Sequence, residues 1–296
     1  MAAFYRQETD LIPWFVTGGT AIICALVLIV MAALGPLGTG DLQYHTSQSG
    51  EWQIMGQDLA DLFLIAPLLL IGGALQLMRR DGAKYFLILT PITLIYTGLS
   101  VGVGQEWTLY PGNAENYFWI YLALMVGGLL LLVGTLPRFT DSETPAFSRR
   151  GLRLFVVLTA LALLFFAKMW LGQITEVIGN GDLADGSYSN ASNAFWVIRY
   201  LDLGVCVPLG FLALFMLMSR PEKAYGMVLL LFGFLITMAV TVNTMAIVQV
   251  LNDDPAVATM GAGLAIFPVL LVLMFIGLFY LVRHKMGSSS IWPVYQ

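Results

Sequence analysis

Eight predominantly apolar runs, each about twenty residues long and separated by short polar breaks, limit what this chain can fold into. As a helix, a run of about 20 residues rises 1.5 Å per residue and crosses about 30 Å of hydrocarbon. The runs lie near residues 13–35, 58–78, 85–104, 117–137, 152–172, 196–218, 225–250 and 259–282. A soluble fold of this chain would lack the charge to cover its surface. Of 296 residues, 58% are hydrophobic and only 11% charged, and the mean hydropathy is +0.82. Lipid is the expected solvent. The first run follows the polar stretch Arg6–Asp10 and is long enough to span, so it reads as a transmembrane helix and not as a cleaved signal. Tyr, Trp and Phe gather at the run ends, as at Trp14, Trp107, Trp119, Trp170 and Trp196, the belt expected at a membrane interface.

Basic residues set the expected orientation. Twelve of the fourteen Lys and Arg fall on one side: Arg6, Arg79, Arg80, Lys84, Arg138, Arg149, Arg150, Arg153, Arg220, Lys223, Arg283 and Lys285. By the positive-inside rule that side is cytoplasmic, with both termini on it. The four opposite connections, near 36–57, 105–116, 173–195 and 251–258, contain no Lys or Arg, while twelve of the eighteen acidic residues lie on or toward them. Such a field draws cations to the outer face. With a net charge of −4, nucleic acid is not an expected partner. His45 and His284 fall on opposite sides, and Cys24 and Cys206 lie inside apolar runs. No haem, metal centre, disulfide or other cofactor is therefore expected.

The chain also repeats itself. Gly38-Thr39-Gly40-Asp41-Leu42 recurs as Gly179-Asn180-Gly181-Asp182-Leu183, an offset of 141 that also carries Asp61 onto Asp202 and Pro67 onto Pro208. At an offset of 140, Arg80 falls on Arg220 and Tyr85 on Tyr225. The expected fold is an all-α membrane protein of about eight transmembrane helices in two parallel-oriented four-helix repeats, residues 1–145 and 146–296. An even number of spans per repeat implies a pseudo-twofold axis along the membrane normal.

Gly56-Gln57-Asp58-Leu59 leading to Pro67 and Arg79-Arg80, Asn116-Tyr117-Phe118 opening the fourth run, and Leu201-Asp202-Leu203 leading to Pro208 carry a likeness. The chain resembles a family of eight-span prokaryotic integral membrane proteins with a tandem four-helix repeat. That resemblance implies the topology and a prokaryotic inner membrane, and it implies no chemistry.

Ionisable groups inside a span each cost about 2.5–3.5 kcal/mol on insertion scales, so the few present are the candidate site. They are Asp58, Asp61, Lys168, Arg199 and Asp202, all toward the outer leaflet. The offset matches Asp58 with Arg199 and Asp61 with Asp202, while Asp58 with Asp61 and Arg199 with Asp202 are each three residues apart and so share one helix face. Were the second and sixth helices to meet at the pseudo-twofold axis, Arg199 would bridge to Asp58 or Asp61. Pro67 and Pro208 are expected to kink both helices just below. The polar residues Tyr96, Thr97 and Ser100 in the third run and Thr237, Thr241, Asn243 and Thr244 in the seventh fit interhelical hydrogen bonds.

Two functions fit. One is binding or transport of a cation, an amine or a lipid head group at this charged site between the repeats. The other is a non-catalytic accessory subunit of a larger membrane complex, with membrane-protein partners. No phosphate loop, nucleophile elbow or paired-His metalloprotease helix is present, so a catalytic role has no motif behind it.

Overall fold

The computed structural model describes residues 11–139, 148–184, 186–258 and 264–286, and every regular element among them is helical. Eight helices are long and apolar enough to cross a membrane: α1 (Trp14–Leu34), α2 (Gln48–Leu77), α3 (Ala83–Val103), α4 (Ala114–Arg138), α5 (Arg149–Asn180), α6 (Ser192–Ser219), α7 (Lys223–Leu251) and α8 (Ile266–Arg283). The chain is an all-α membrane protein. The expected start of the eighth run at 259 lies outside the described residues.

Helix ends differ from the hydropathy reading where polar sequence is helical. α2 begins at Gln48, ten residues before the apolar run: the Ser47 hydroxyl accepts from the Gly50 amide at 3.2 Å, and Glu51 sits in the first turn. Both features favour a helix start, one by supplying a partner for an orphan N–H and the other by complementing the helix dipole. Asp58 and Asp61 therefore lie about 15–20 Å along the helix from its start, at about 1.5 Å per residue, and do not open it. Likewise α5 runs on to Asn180 and stops where Gly181 takes a left-handed φ of 81°.

Both α2 and α6 are interrupted at matching places. Asp61–Ile65 and Asp202–Cys206 each form a single π turn, closed by the amides of Ala66 and Val207 bonding the carbonyls of Asp61 and Asp202. Pro67 and Pro208 stand one residue beyond. A proline has no N–H and crowds the preceding turn, so widening that turn relieves the helix.

α3 and α7 occupy the centre, with 61% and 67% of their apolar windows buried, against 11% for α5 and α8 at the periphery. α2 packs along α7 while α6 packs against α3, and α1 fills the space beside α2 and α4. The α2–α7 approach needs a glycine: a Cβ at Gly56 would stand 2.3 Å from the Met245 Cα. Thr93 of α3 and Thr237 of α7 join hydroxyls at 2.5 Å between the two central helices.

Hydrogen bonds tie the four connections that lack Lys and Arg into one surface, here called the acidic end. The His45 amide donates to the Gln105 side-chain oxygen at 2.8 Å, and the Glu106 amide donates to the His45 carbonyl at 2.8 Å. The Asn113 amide donates to the Gln43 carbonyl, 2.9 Å, and its side chain returns the contact. Glu106 then accepts from the Asn193 amide at 2.6 Å, at the start of α6. Reciprocally, Asp254 beyond α7 accepts from the Ser49 hydroxyl at 2.6 Å, at the start of α2. An acidic residue after the third helix of each half thus clasps the second helix of the other.

His45 is the latch of this surface. Its Nδ1 lies 2.7 Å from the Tyr110 carbonyl and its Nε2 2.8 Å from the Glu115 carboxylate. Both partners only accept, so both ring nitrogens donate and the ring is the imidazolium. The hydrogen bond to Glu115 holds the His45 pKa above its ordinary 6.5. A raised folded-state value means the latch stabilises fully below 6.5 and fades as pH climbs through that raised value. His45→Gln should accordingly lower the melting temperature of the purified protein at pH 6 and leave it unchanged at pH 9; an equal loss at both would disprove the charged latch.

Candidate functional site

Asp58 and Asp61 descend from the polar first turns of α2 into the bundle, and both side chains are 0% exposed. The π turn begins at Asp61, and Pro67 follows just beyond its end. Asp58 Oδ2 faces the end of α1, 3.3 Å from where a Cβ on Gly35 would stand. This is the negative end of that helix dipole, which disfavours a carboxylate. Tyr44 from the first connection lies beside both carboxyls, and Tyr121 of α4 lies beside Asp58 and Tyr44. Gln57, whose side chain donates to Thr97 at 3.3 Å, flanks Asp61.

Both carboxyl oxygens of Asp58 and of Asp61 and the hydroxyls of Tyr44 and Tyr121 are buried with no hydrogen bond of ordinary geometry, although the neutral Gln57 lies near Asp61 and the two phenols lie near each other. Leaving one buried polar group unsatisfied costs about 1–3 kcal/mol, and more for a charged one. Six such atoms within one cluster are therefore a strong local anomaly.

The second half resolves the matching position differently. Asp202 accepts from the Trp170 indole at 2.8 Å. Arg199 places its guanidinium 3.7 Å from the Phe195 ring centre and 4.2 Å from that of Trp170, donates to the Phe195 carbonyl at 3.3 Å, and donates to the Gln173 side chain. Its charge acts on Asp202 and on the nearby Tyr96. A cation and an anion here compensate each other inside a cage of aromatic faces.

The expected bridge from Arg199 to Asp58 or Asp61 is not formed. Among the described residues Arg199 makes no ion pair with either carboxyl of α2, and the ion pairs there include His45 with Glu115 and Lys84 with Asp81. The reason is the packing: α3 and α7 stand between the halves, so α2 and α6 each face a central helix of the other half, and the two charged positions are separate sites. Lys168 joins neither. Its side chain is exposed on the peripheral α5, and no hydrogen bond or ion pair engages it among the described residues.

Sequence reasoning missed Tyr44, Tyr121 and Gln57. Tyr121 reads as one more belt aromatic, and Tyr44 belongs to a loop whose fold the sequence does not specify. Tyr121 also lines a cavity of about 260 Å³ at the acidic end with Gly102, Trp107, Ala114, Glu115 and Phe118. Tyr121 thus belongs both to the lining of that cavity and to the surroundings of Asp58.

Two substitutions separate the sites. In buffer free of alkali and alkaline-earth ions, Asp61→Asn should hold or raise the melting temperature, since it removes an uncompensated buried acid. Arg199→Ala should lower stability by about 1–3 kcal/mol, because it strips Asp202 of its cation and leaves Gln173 unpaired. A loss of that size from Asp61→Asn, measured by thermal unfolding in detergent, would contradict the assignment of Asp61 as unpartnered. Compared with family models, with curated proteins and with solved structures, the chain matches none.

Proposed function

We propose that this protein binds, and by binding carries or senses, a small inorganic cation at Asp58 and Asp61. The observation behind this reading is the pair of wholly buried carboxyls with no basic side chain paired to them, the neutral Gln57 being the group beside Asp61. Two carboxylates and two phenol oxygens are hard ligands of the type that alkali and alkaline-earth ions take. An amine or a lipid head group fits less well, because both carboxyls are wholly buried.

The comparison within the chain supports the same reading. Under the proposed duplication Arg199 replaces Asp58, so the second half carries its own cation at the place where the first half has none. The π turns at Asp61 and Asp202 and the reciprocal clasps of Glu106 and Asp254 favour that duplication and the axis between α3 and α7. The acidic connections form one surface, and the positive-inside rule assigns it to the outside of a prokaryotic cell membrane, with both termini cytoplasmic. On that assignment the cavity beside Tyr121 opens outward and gives the cation its route.

Melting temperatures of the purified protein in NaCl, KCl or CaCl₂, each against choline chloride at equal ionic strength, test the site. One of these cations should raise the wild-type value, by about 2.7 kcal/mol of stability at a hundred times its Kd, and leave Asp58→Asn/Asp61→Asn unmoved. No shift with any of them, or an equal shift in the variant, would reject it. Orientation is tested separately: a cysteine at Gly112 should react with an impermeant reagent added outside intact cells, and one at Ser288 should not. The reverse pattern would invert the assignment.

A further inference from the structure

We infer that the carboxyl-terminal end of α1 forms the main-chain half of the cation site, with the Ala32 carbonyl as a ligand beside Asp58 and with Gly35 holding open the space between them. This rests on the cation reading above and adds to it the residues that complete the coordination. α1 ends at Leu34, with Gly35 as its cap. Of its last four carbonyls, Met31 accepts from the Gly35 amide at 2.9 Å, Ala33 from Thr39 at 2.8 Å and Leu34 from Leu42 at 2.7 Å. The Ala32 carbonyl would take its donor from position 36, which is a proline and has no N–H. Among the described residues no hydrogen bond reaches it, and Ala32 is 1% exposed. A buried backbone carbonyl in that state is rare enough to call for a partner.

Asp58 comes to the same place from α2. A Cβ on Gly35 would stand 3.0 Å from the Met31 carbonyl oxygen, 3.3 Å from Asp58 Oδ2 and 3.7 Å from the Tyr44 ring. Glycine at position 35 therefore leaves the oxygens at the end of α1 and the Asp58 carboxyl around one gap. Carbonyl oxygens at the end of a helix are its negative pole, and a carboxyl oxygen beside them adds to the same sign. A cation between the two satisfies both at once. Main-chain carbonyls together with carboxylates are the oxygens that hard cations take.

The second half supplies the comparison. The offset of 141 that carries Asp61 onto Asp202 carries Asp58 onto Arg199 and Ala32 onto Gln173. There α5 runs on to Asn180, and the Gln173 side-chain oxygen accepts from the Arg199 guanidinium. Under the proposed duplication, an oxygen at the position of residue 32 thus meets a positive charge at the position of residue 58. In the first half residue 58 is an acid and residue 32 offers its own carbonyl, so the positive charge has to come from a bound ion.

The test uses the full-length protein in detergent, freed of metal ions and labelled with ¹³C-carbonyl, ¹⁵N-alanine. The chain has two Ala–Ala pairs, Ala2–Ala3 and Ala32–Ala33, so a carbon–nitrogen correlated NMR spectrum reads the Ala32 carbonyl with one companion signal. Whichever of NaCl, KCl and CaCl₂ binds by calorimetry should shift the Ala32 carbonyl signal along the same saturation curve and leave that of Ala2 in place. In Asp58→Asn/Asp61→Asn neither should move. The backbone at Gly35 is extended, φ −74° and ψ −171°, which alanine adopts without strain. Gly35→Ala should therefore keep a melting temperature near the wild-type value without ions while its affinity for the ion falls about ten- to a hundredfold. Should that variant fail to fold, the Ala32 signal decides alone. Either an Ala32 signal unmoved by a bound ion or wild-type affinity in Gly35→Ala would overturn the role of α1 and leave the cation site at Asp58 and Asp61 standing. No binding of any of the three ions would remove both together.

Discussion

Water is absent from the hydrocarbon core of a membrane, and every polar group carried into it must find its partner within the protein. The backbone meets that demand as eight helices. Many side chains meet it too: Thr237, Thr241 and Thr244 bond carbonyls one turn back on α7, and Asn243 bonds the carbonyls of Ala239 and Phe267. Asn243 thereby fastens α8 to α7. Against this background the chamber of Asp58, Asp61, Tyr44 and Tyr121 stands out, because its oxygens are buried as deeply and left unsatisfied.

The way the halves meet explains why that chamber stays unsatisfied. Close contact is made by α3 and α7, where Gly233 lets the backbones approach at Leu89 and the hydroxyls of Thr93 and Thr237 join. The charged positions on α2 and α6 are displaced to either side of this seam. Had α2 and α6 met each other, Arg199 would have lain within reach of Asp61 and formed a structural ion pair. Instead Arg199 is enclosed by Trp170 and Phe195, and the acids of α2 face only neutral oxygens.

Span number, helix type and the grouping of acidic connections were legible because they follow from composition averaged over twenty residues at a time. Asp58, Asp61, Arg199 and Asp202 were legible as candidates for the same reason: charge within an apolar run is rare. Two kinds of information were not. The helical start at Gln48 depends on a single cap at Ser47, which a hydropathy window blurs. Which helices touch depends on where the small residues face, and Gly56 against Met245 and Gly233 against Leu89 cannot be paired from one sequence. The misplaced bridge from Arg199 to Asp61 came from that second gap. Lys168 was drawn into the site by depth alone, although its face of α5 carries the exposed Leu161, Leu164 and Phe165.

The same seam gives the latch at His45 its significance. Tyr44 precedes His45 directly, and Glu115 stands at the start of the helix that carries Tyr121. The imidazolium bond between His45 and Glu115 therefore fixes the backbones on which both phenols of the chamber ride. Protonation at the acidic surface thereby holds the first connection against α4, and that same connection carries Tyr44 over the buried acids of α2, a link that follows from the adjacency of residues 44 and 45 and requires no long-range signal through the bundle.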